Sequence, residues 1–134
     1  MSAMLNPYLT FNGTARSAME FYQSIFGGDL AVSTFGDFGN SGPEADKVMH
    51  SRLETPSGFV LMGSDTPEGE EPTVGDTITL SLSGDDESLR GYWDKLSEDG
   101  RVTMPLEKQM WGDEFGMVTD RFGIGWMVNI GASS

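Results

Sequence analysis

The sequence contains no cysteine, a single histidine and few basic residues. Without cysteine it has no disulfide, thiol nucleophile or thiolate metal ligand, which suits a reducing cytosol. Only 8 Lys and Arg stand against 21 Asp and Glu, and the net charge of −13 repels nucleic acid and anionic membranes. Met1 to Tyr8 lacks a secretion signal, and no apolar run could span a bilayer. We therefore predict a cytoplasmic protein with no nucleic-acid or membrane partner.

The chain length and composition predict one folded domain over residues 1–134. Its 134 residues can bury a core but are few for two ordinary domains, and 37% of them are hydrophobic. Within this domain we predict a first repeat at about 6–65, an acidic linker at about 66–76 and a second repeat at about 77–130.

In the first repeat, the periodicity predicts one amphipathic helix and four strands. Apolar residues recur at helical spacing from Thr14 to Phe26 and stop at a Gly-Gly pair. Shorter β-prone runs bounded by turn residues predict the strands Asn6 to Phe11, Asp29 to Phe35, Val48 to Glu54 and Phe59 to Ser64. The Gly-rich and Asp-rich segment from Gly36 to Asp46 is predicted to be a loop.

The second repeat shows the same order of elements. We predict a strand at Thr77 to Ser83, a helix at about Asp86 to Glu98 and strands at Arg101 to Gln109, Glu114 to Thr119 and Trp126 to Ile130. An offset of 71 pairs Leu9 with Leu80 and Tyr22 with Trp93, and an offset of 65 pairs Leu53 with Val118. This internal duplication predicts an α+β fold of two β-α-β-β-β repeats, whose sheets form a cup around a small-molecule site.

Motifs along nearly the whole chain carry a family resemblance. They include NPYLTFNG, KVMHSRLE and WGDEFGMVTDRFGIGWMVN. These motifs resemble the PhnB-like branch of the vicinal oxygen chelate superfamily, which contains glyoxalases, bleomycin and fosfomycin resistance proteins and extradiol dioxygenases. The resemblance implies the glyoxalase/bleomycin resistance/dioxygenase fold and a homodimer. Members of this branch often carry a demethylubiquinone methyltransferase label, but the sequence has no Gly-rich strand-to-helix loop for a nucleoside cofactor, so we do not predict methyl transfer.

The resemblance also implies where a catalytic metal would be bound. Enzymes of the superfamily hold a divalent metal with His and Glu from the first and last strands of each half. The corresponding stretches here have no histidine or carboxylate: they are Tyr8 to Thr10, Met62 to Ser64, Thr79 to Ser81 and Met127 to Asn129. We predict no metal and no other cofactor, with a divalent metal on unconventional ligands as the alternative. Asp65, the nearest acid, is either such a ligand or a turn carboxylate that caps backbone amides.

His50 is the candidate catalytic residue. Strand alternation places Val48, His50, Arg52 and Glu54 on one face. It places the intervening residues, among them Ser51 and Leu53, on the other face, against a helix. His50 would then point toward the cup, where it is either a general base or a structural, hydrogen-bonded histidine.

The candidate ligand-binding residues are mostly aromatic or apolar, which favours an apolar or aromatic ligand. Trp111 lies in a turn and serves ligand binding, a dimer contact or core packing, whereas Trp126 is expected to be buried. The full set of predicted ligand-binding residues is Tyr8, His50, Met62, Ser64, Trp111 and Phe115.

Three functions are compatible with these residues. The first is a metal-independent binding protein for an apolar small molecule. The second is a glyoxalase-like or lyase-like enzyme with His50 as base, with or without a divalent metal. The third is a structural or regulatory dimer whose cup is filled by side chains.

Overall fold

The computed structural model describes residues 3–39, 41–67 and 70–131. The chain forms two compact units, Met1–Thr73 and Val74–Ser134, and the boundary between them along the sequence falls inside the predicted linker. The first unit contains β1 Tyr8–Phe11, α1 Ala15–Phe26, β2 Asp29–Thr34, a 3-10 turn at Gly36–Phe38, β3 Val48–Glu54 and β4 Val60–Asp65. The second contains β5 Leu80–Gly84, α2 Ser88–Ser97, β6 Arg101–Lys108, β7 Glu114–Thr119 and β8 Gly125–Ile130.

The first unit is a four-stranded mixed sheet with α1 packed on one face. The strand order is β1-β4-β3-β2, with β1 parallel to β4 and the other pairs antiparallel. Helix α1 forms because its apolar residues, among them Met19 and Tyr22, recur at the helical period and are fully buried. It ends at Gly27, whose φ of 74° lies in the region that favours glycine.

The second unit repeats this architecture. Its sheet has the order β5-β8-β7-β6, again with the outer strand β5 parallel to its neighbour β8. Helix α2 buries Leu89, Trp93 and Leu96. Two four-stranded mixed sheets, each with one helix, confirm the predicted α+β class and the predicted order of elements.

The duplication extends to one matching turn in each unit. The N–H groups of Thr55 and Asp120 donate to the carbonyls of the residues four positions later, at 3.0 and 2.9 Å. Gly58 and Gly123 then occupy the same turn position with φ of 90° and 89°. The offset of 65 therefore holds at the level of backbone hydrogen bonds.

The first strands have a different offset from the one predicted. Leu9 pairs with Gly63 and Leu82 pairs with Val128, and both leucines are buried. Because Gly63 and Val128 themselves correspond under the offset of 65, Leu9 corresponds to Leu82 at an offset of 73, and the predicted match with Leu80 is wrong. Sequence similarity alone does not reveal the offset of 73, because it carries no information on which residues pair between strands.

A second correction concerns Val48. Strict alternation predicts that Val48 lies on the same side of the strand as the exposed His50. Val48 is instead buried, at 1% exposure. The pairing between β2 and β3 jumps at this point, since Ser33 pairs with His50 and Thr34 pairs with Val48. The extra residue, Met49, is a β-bulge that reverses the side on which Val48 lies.

Neither α1 nor α2, the α-helices of the described ranges, is long and apolar enough to cross a bilayer.

Candidate functional site

The sheet of the first unit has one face against α1 and one face that no helix of the unit's described residues covers. Gly63 marks the helix side, because a Cβ built on it would lie 3.3 Å from Met19 Sδ. The opposite face, here called the first open face, carries the side chains of Tyr8, Thr10, His50, Arg52, Met62 and Ser64. The prediction that His50 points away from the helix is confirmed.

Tyr8 and His50 contact each other on the first open face. Tyr8 Oη lies 3.2 Å from His50 Nδ1, and the two rings stack with centroids 5.8 Å apart. If Tyr8 donates to Nδ1, His50 carries its proton on Nε2 and offers a donor. If His50 donates from Nδ1 to Oη, Nε2 keeps a free lone pair and can accept a proton. The pair therefore supplies either a polar anchor or a base.

Met62 and Ser64 lie on β4 beside this pair. Met62 pairs directly with Tyr8 on one side and with Arg52 on the other, and Ser64 pairs with Thr10. The structure thus brings together four of the predicted ligand-binding residues, Tyr8, His50, Met62 and Ser64. The face combines a stacked aromatic pair, a thioether and a hydroxyl, which suits an aromatic ligand with a polar substituent.

Asp65 caps backbone amides and lies on the helix side of the sheet. Its Oδ1 accepts hydrogen bonds from the N–H groups of Gly13 at 2.7 Å and Ala15 at 3.0 Å, and its Oδ2 accepts from Val48 N–H at 2.9 Å. The residue is buried, at 5% exposure. Of the two interpretations of Asp65, the structure supports the cap, because the carboxylate faces away from the first open face.

The second unit also has an open face, here called the second open face. Gly116 marks the helix side, since a Cβ on it would lie 2.7 Å from the ring of Trp93. The neighbouring residues Phe115 and Met117 therefore point to the open side. Phe115 corresponds to His50 under the offset of 65, so the aromatic ring takes the place of the imidazole.

Trp111 lies in the turn before β7 and packs edge-on against Phe115, with ring centroids 6.2 Å apart. It is 59% exposed, so core packing does not account for it within this chain. Trp126, in contrast, is buried as predicted and donates from Nε1 to Asp120 at 2.9 Å. The structure thus joins Trp111 to Phe115 in the second unit, and the four residues of the first open face belong to the first unit.

The acidic residues near Trp111 are held by polar partners of the same unit. Asp113 accepts a hydrogen bond from Asn129 Nδ2 at 2.9 Å. The Arg90 guanidinium donates hydrogen bonds to Glu114 and to Glu87, and these raise the pKa of Arg90 above its ordinary value. Neither carboxylate is a free ligand.

The residues present do not fit the divalent metal of the superfamily's enzymes. The open-face positions of β1, β4, β5 and β8 carry a phenol, hydroxyls, thioethers and one amide, and Asn129 already donates to Asp113. Across residues 3–39, 41–67 and 70–131, no group of three or more His, Asp or Glu side chains is arranged to hold a metal ion. Hard divalent cations need several carboxylate or imidazole ligands that converge on one point.

A cavity of about 610 Å³ lies within the second unit and was not predicted from the sequence. It lies at the ends of β6, β7 and β8, where Arg101 pairs with Thr119 and Thr119 pairs with Gly125. Its wall also includes Val74, Ile78, Thr79, Thr103, Met117 and Trp126. Local sequence patterns did not point to this site, because its lining residues come from separate strands and from the linker.

Comparison with known proteins identifies the family. The model of the Glyoxalase/Bleomycin resistance protein/Dioxygenase superfamily matches residues 5–128. The chain therefore belongs to this superfamily.

Individual relatives cover nearly the full chain. Protein YjdN of Escherichia coli K12 is 27% identical over 139 residues, with 94% of each chain covered. The crystal structure of protein PA1353 from Pseudomonas aeruginosa is 39% identical and covers 98% of this chain and 100% of its own, with a TM-score of 0.88. A Bacillus cereus PhnB protein, described as a candidate 3-demethylubiquinone-9 3-methyltransferase, is 26% identical and covers 96% of this chain and 99% of its own, with a TM-score of 0.77. This last likeness supports the PhnB-like branch.

Proposed function

We propose that this protein binds an apolar or aromatic small molecule on its open sheet faces, without the metal centre usual in the superfamily. The observation that carries the proposal is the Tyr8–His50 contact on the first open face, where a stacked pair of rings is exposed beside Met62 and Ser64. Exposed stacked rings offer a flat apolar surface, and the phenol and imidazole add polar handles for orientation.

The lack of a converging ligand set in the part of the chain that the structure describes favours binding without metal. The acid nearest to the superfamily's ligand position, Asp65, is already bound to three backbone N–H groups. Elemental analysis of the purified protein, with thermal-shift titrations of Mn(II), Ni(II) and Zn(II), tests this part, since binding to the native state raises its stability. Stoichiometric metal, or a stabilisation lost in His50→Gln, would overturn it.

Ligand binding can be followed on His50 directly, because it is the only histidine in the sequence and its imidazole gives a single set of NMR signals. We expect 2-naphthol, a neutral aromatic probe, to shift the His50 Hε1 signal in a saturable titration. Tyr8→Phe should weaken binding by about threefold to tenfold through the lost hydroxyl. Tyr92→Phe, a tyrosine of the second unit, is the control. If 2-naphthol moves no His50 signal, the first open face is not the binding surface.

An enzymatic function is the second candidate, and the same contact favours it. When His50 donates from Nδ1 to Tyr8, its Nε2 is a free acceptor on an exposed face, as a general base requires. Proton abstraction from a carbon acid can be measured as deuterium incorporation into methylglyoxal in D₂O. His50→Gln should abolish the incorporation above the solvent rate, and Tyr8→Phe should reduce it. A rate equal to that of buffer for the unaltered protein excludes this candidate for methylglyoxal.

We also propose a homodimer, on the basis of the exposed apolar residues Met110 and Trp111, which are 98% and 59% exposed in the single chain. Exposed apolar side chains next to each other are typical of contact surfaces. The mass in solution, measured by light scattering coupled to gel filtration, tests this part of the proposal.

A further inference from the structure

We propose that the cavity of the second unit binds a small organic monocarboxylate, with Arg101 as the residue that recognises the carboxylate. Every residue that lines this site belongs to Val74–Ser134, whereas Tyr8 and His50 belong to the first unit. The proposal therefore does not depend on binding of an aromatic ligand by Tyr8 and His50.

The first support is the form and chemistry of the cavity. Its volume of about 610 Å³ is in the range of small-molecule sites. Apolar lining comes from Met117 on the open side of β7 and from Val74 and Ile78 in the segment before β5, which are 77% and 82% exposed in the single chain. This wall can cover a ring or a short aliphatic body while one end of the ligand meets polar groups.

The second support is that Arg101 has no carboxylate partner within 4.0 Å in the part of the chain that the structure describes. Arg52, Arg90 and Arg121 each form an ion pair with a nearby Glu or Asp. Among the described residues Arg101 and Arg16 form no such pair, and of these two only Arg101 lines the cavity. A guanidinium presents two parallel N–H groups that match the two oxygens of a carboxylate.

Threonine hydroxyls complete the polar end of the cavity. Thr119 pairs with Arg101 across β6 and β7, and Thr79 and Thr103 also line the cavity. Hydroxyl groups donate hydrogen bonds to carboxylate oxygens without adding charge. The pairing of β6 with β7 fixes the backbones of Arg101 and Thr119 side by side at this end of the cavity.

Asp76 restricts the class of anion. It lines the same cavity, and in the part of the chain that the structure describes it forms no ion pair with Arg101. Its negative charge disfavours ligands with two or more negative charges more strongly than it disfavours a monocarboxylate. A single carboxylate on an apolar body is therefore the best match.

The test is an NMR titration of the full chain with sodium benzoate, with benzyl alcohol as the uncharged probe of similar size. We expect benzoate to shift the Trp126 indole N–H and the Thr119 amide signals, and benzyl alcohol to bind about tenfold more weakly or not at all. Arg101→Gln should weaken benzoate binding by about tenfold or more, Arg101→Lys should restore part of it, and Asp76→Asn should strengthen it. Lys108→Gln, which removes one positive charge from the same strand outside the cavity, should leave it unchanged.

Equal affinities for benzoate and benzyl alcohol, or an unchanged benzoate affinity in Arg101→Gln, would overturn the proposal. So would shifts confined to His50, because these would place benzoate on the first open face. Arg101 is exposed, and the amide spectrum of each variant shows whether it is folded. The 2-naphthol titration reports on His50 and this titration on Trp126, so failure of one proposal is distinguishable from failure of the other.

Discussion

Replacement of Asp65 by alanine removes one carboxylate that accepts hydrogen bonds from three backbone N–H groups in different parts of the first unit. Gly13 and Ala15 lie at the start of α1 and Val48 begins β3, so the carboxylate ties a helix start and a strand to the end of β4. The N–H groups of Ala15 and Val48 are buried, whereas water can reach Gly13. The alanine variant therefore leaves two buried donors without an acceptor.

The cost can be worked out from these two donors. An unsatisfied buried donor costs about 1–3 kcal/mol, so Asp65→Ala should lower the free energy of unfolding by about 2–6 kcal/mol. With a slope of about 2 kcal/mol per M urea, the unfolding midpoint should fall by about 1–3 M. Asp65→Asn keeps one carbonyl acceptor but turns an N–H group toward one of the donors, so its loss should be intermediate.

The assay is urea unfolding followed by far-ultraviolet circular dichroism and by tryptophan fluorescence, with the exposed Asp85→Ala as control. A loss below about 0.5 kcal/mol is expected for the control, as for most surface substitutions. A loss for Asp65→Ala no larger than the control's would refute the cap. If Asp65→Ala also lost a bound metal, Asp65 would be a metal ligand and not a cap of backbone amides.

Three further substitutions test the packing and the exposed surface. Gly28→Ala should destabilise the fold by about 3 kcal/mol or more, because the new Cβ would lie 2.0 Å from Glu54 O. Gly58→Ala is the control, since Gly58 has a similar φ and its new Cβ would have no atom within 4 Å. The difference in melting temperature between the two variants then measures the effect of the clash. Gly116→Ala should lower the melting temperature, since its Cβ would lie 2.7 Å from the Trp93 ring, and an unchanged melting temperature would contradict the packing of α2 on β7. Trp111→Ser should leave the stability of the chain within about 0.5 kcal/mol but shift the mass in gel filtration from dimer to monomer, and an unaltered dimer would exclude Trp111 from the contact.

Local patterns were sufficient for the elements and for the family. The strands β3 and β7 have the bounds predicted from alternation, and α1 begins within one residue of its predicted start because its buried face repeats at the helical period. The matching turns at Gly58 and Gly123 were visible as paired glycines, since a positive φ restricts the residue type. The motifs that resemble the PhnB-like branch agree with the family model that matches residues 5–128.

Strand pairing decided what local patterns could not. The bulge at Met49 moved Val48 to the buried side, and the pairing of β1 with β4 changed the correspondence of Leu9 from Leu80 to Leu82. Both depend on hydrogen bonds between strands that are distant in the sequence, and a shift of register changes which side chains meet.

For the chemistry of the sites too, the sequence determined one part and the tertiary structure another. The sequence by itself determined that cysteine chemistry is absent, and strand alternation predicted that His50 and Ser51 lie on opposite faces. The resemblance to the superfamily implied metal positions that lack His and Glu in this sequence. Only the tertiary structure decided that Asp65 binds three amides, that Tyr8 reaches His50, and that Arg101 lines a cavity without an acidic partner among the described residues. The physical reason is that a polar side chain takes its role from the groups within hydrogen-bond distance, and these groups come from strands and turns that the fold alone brings together.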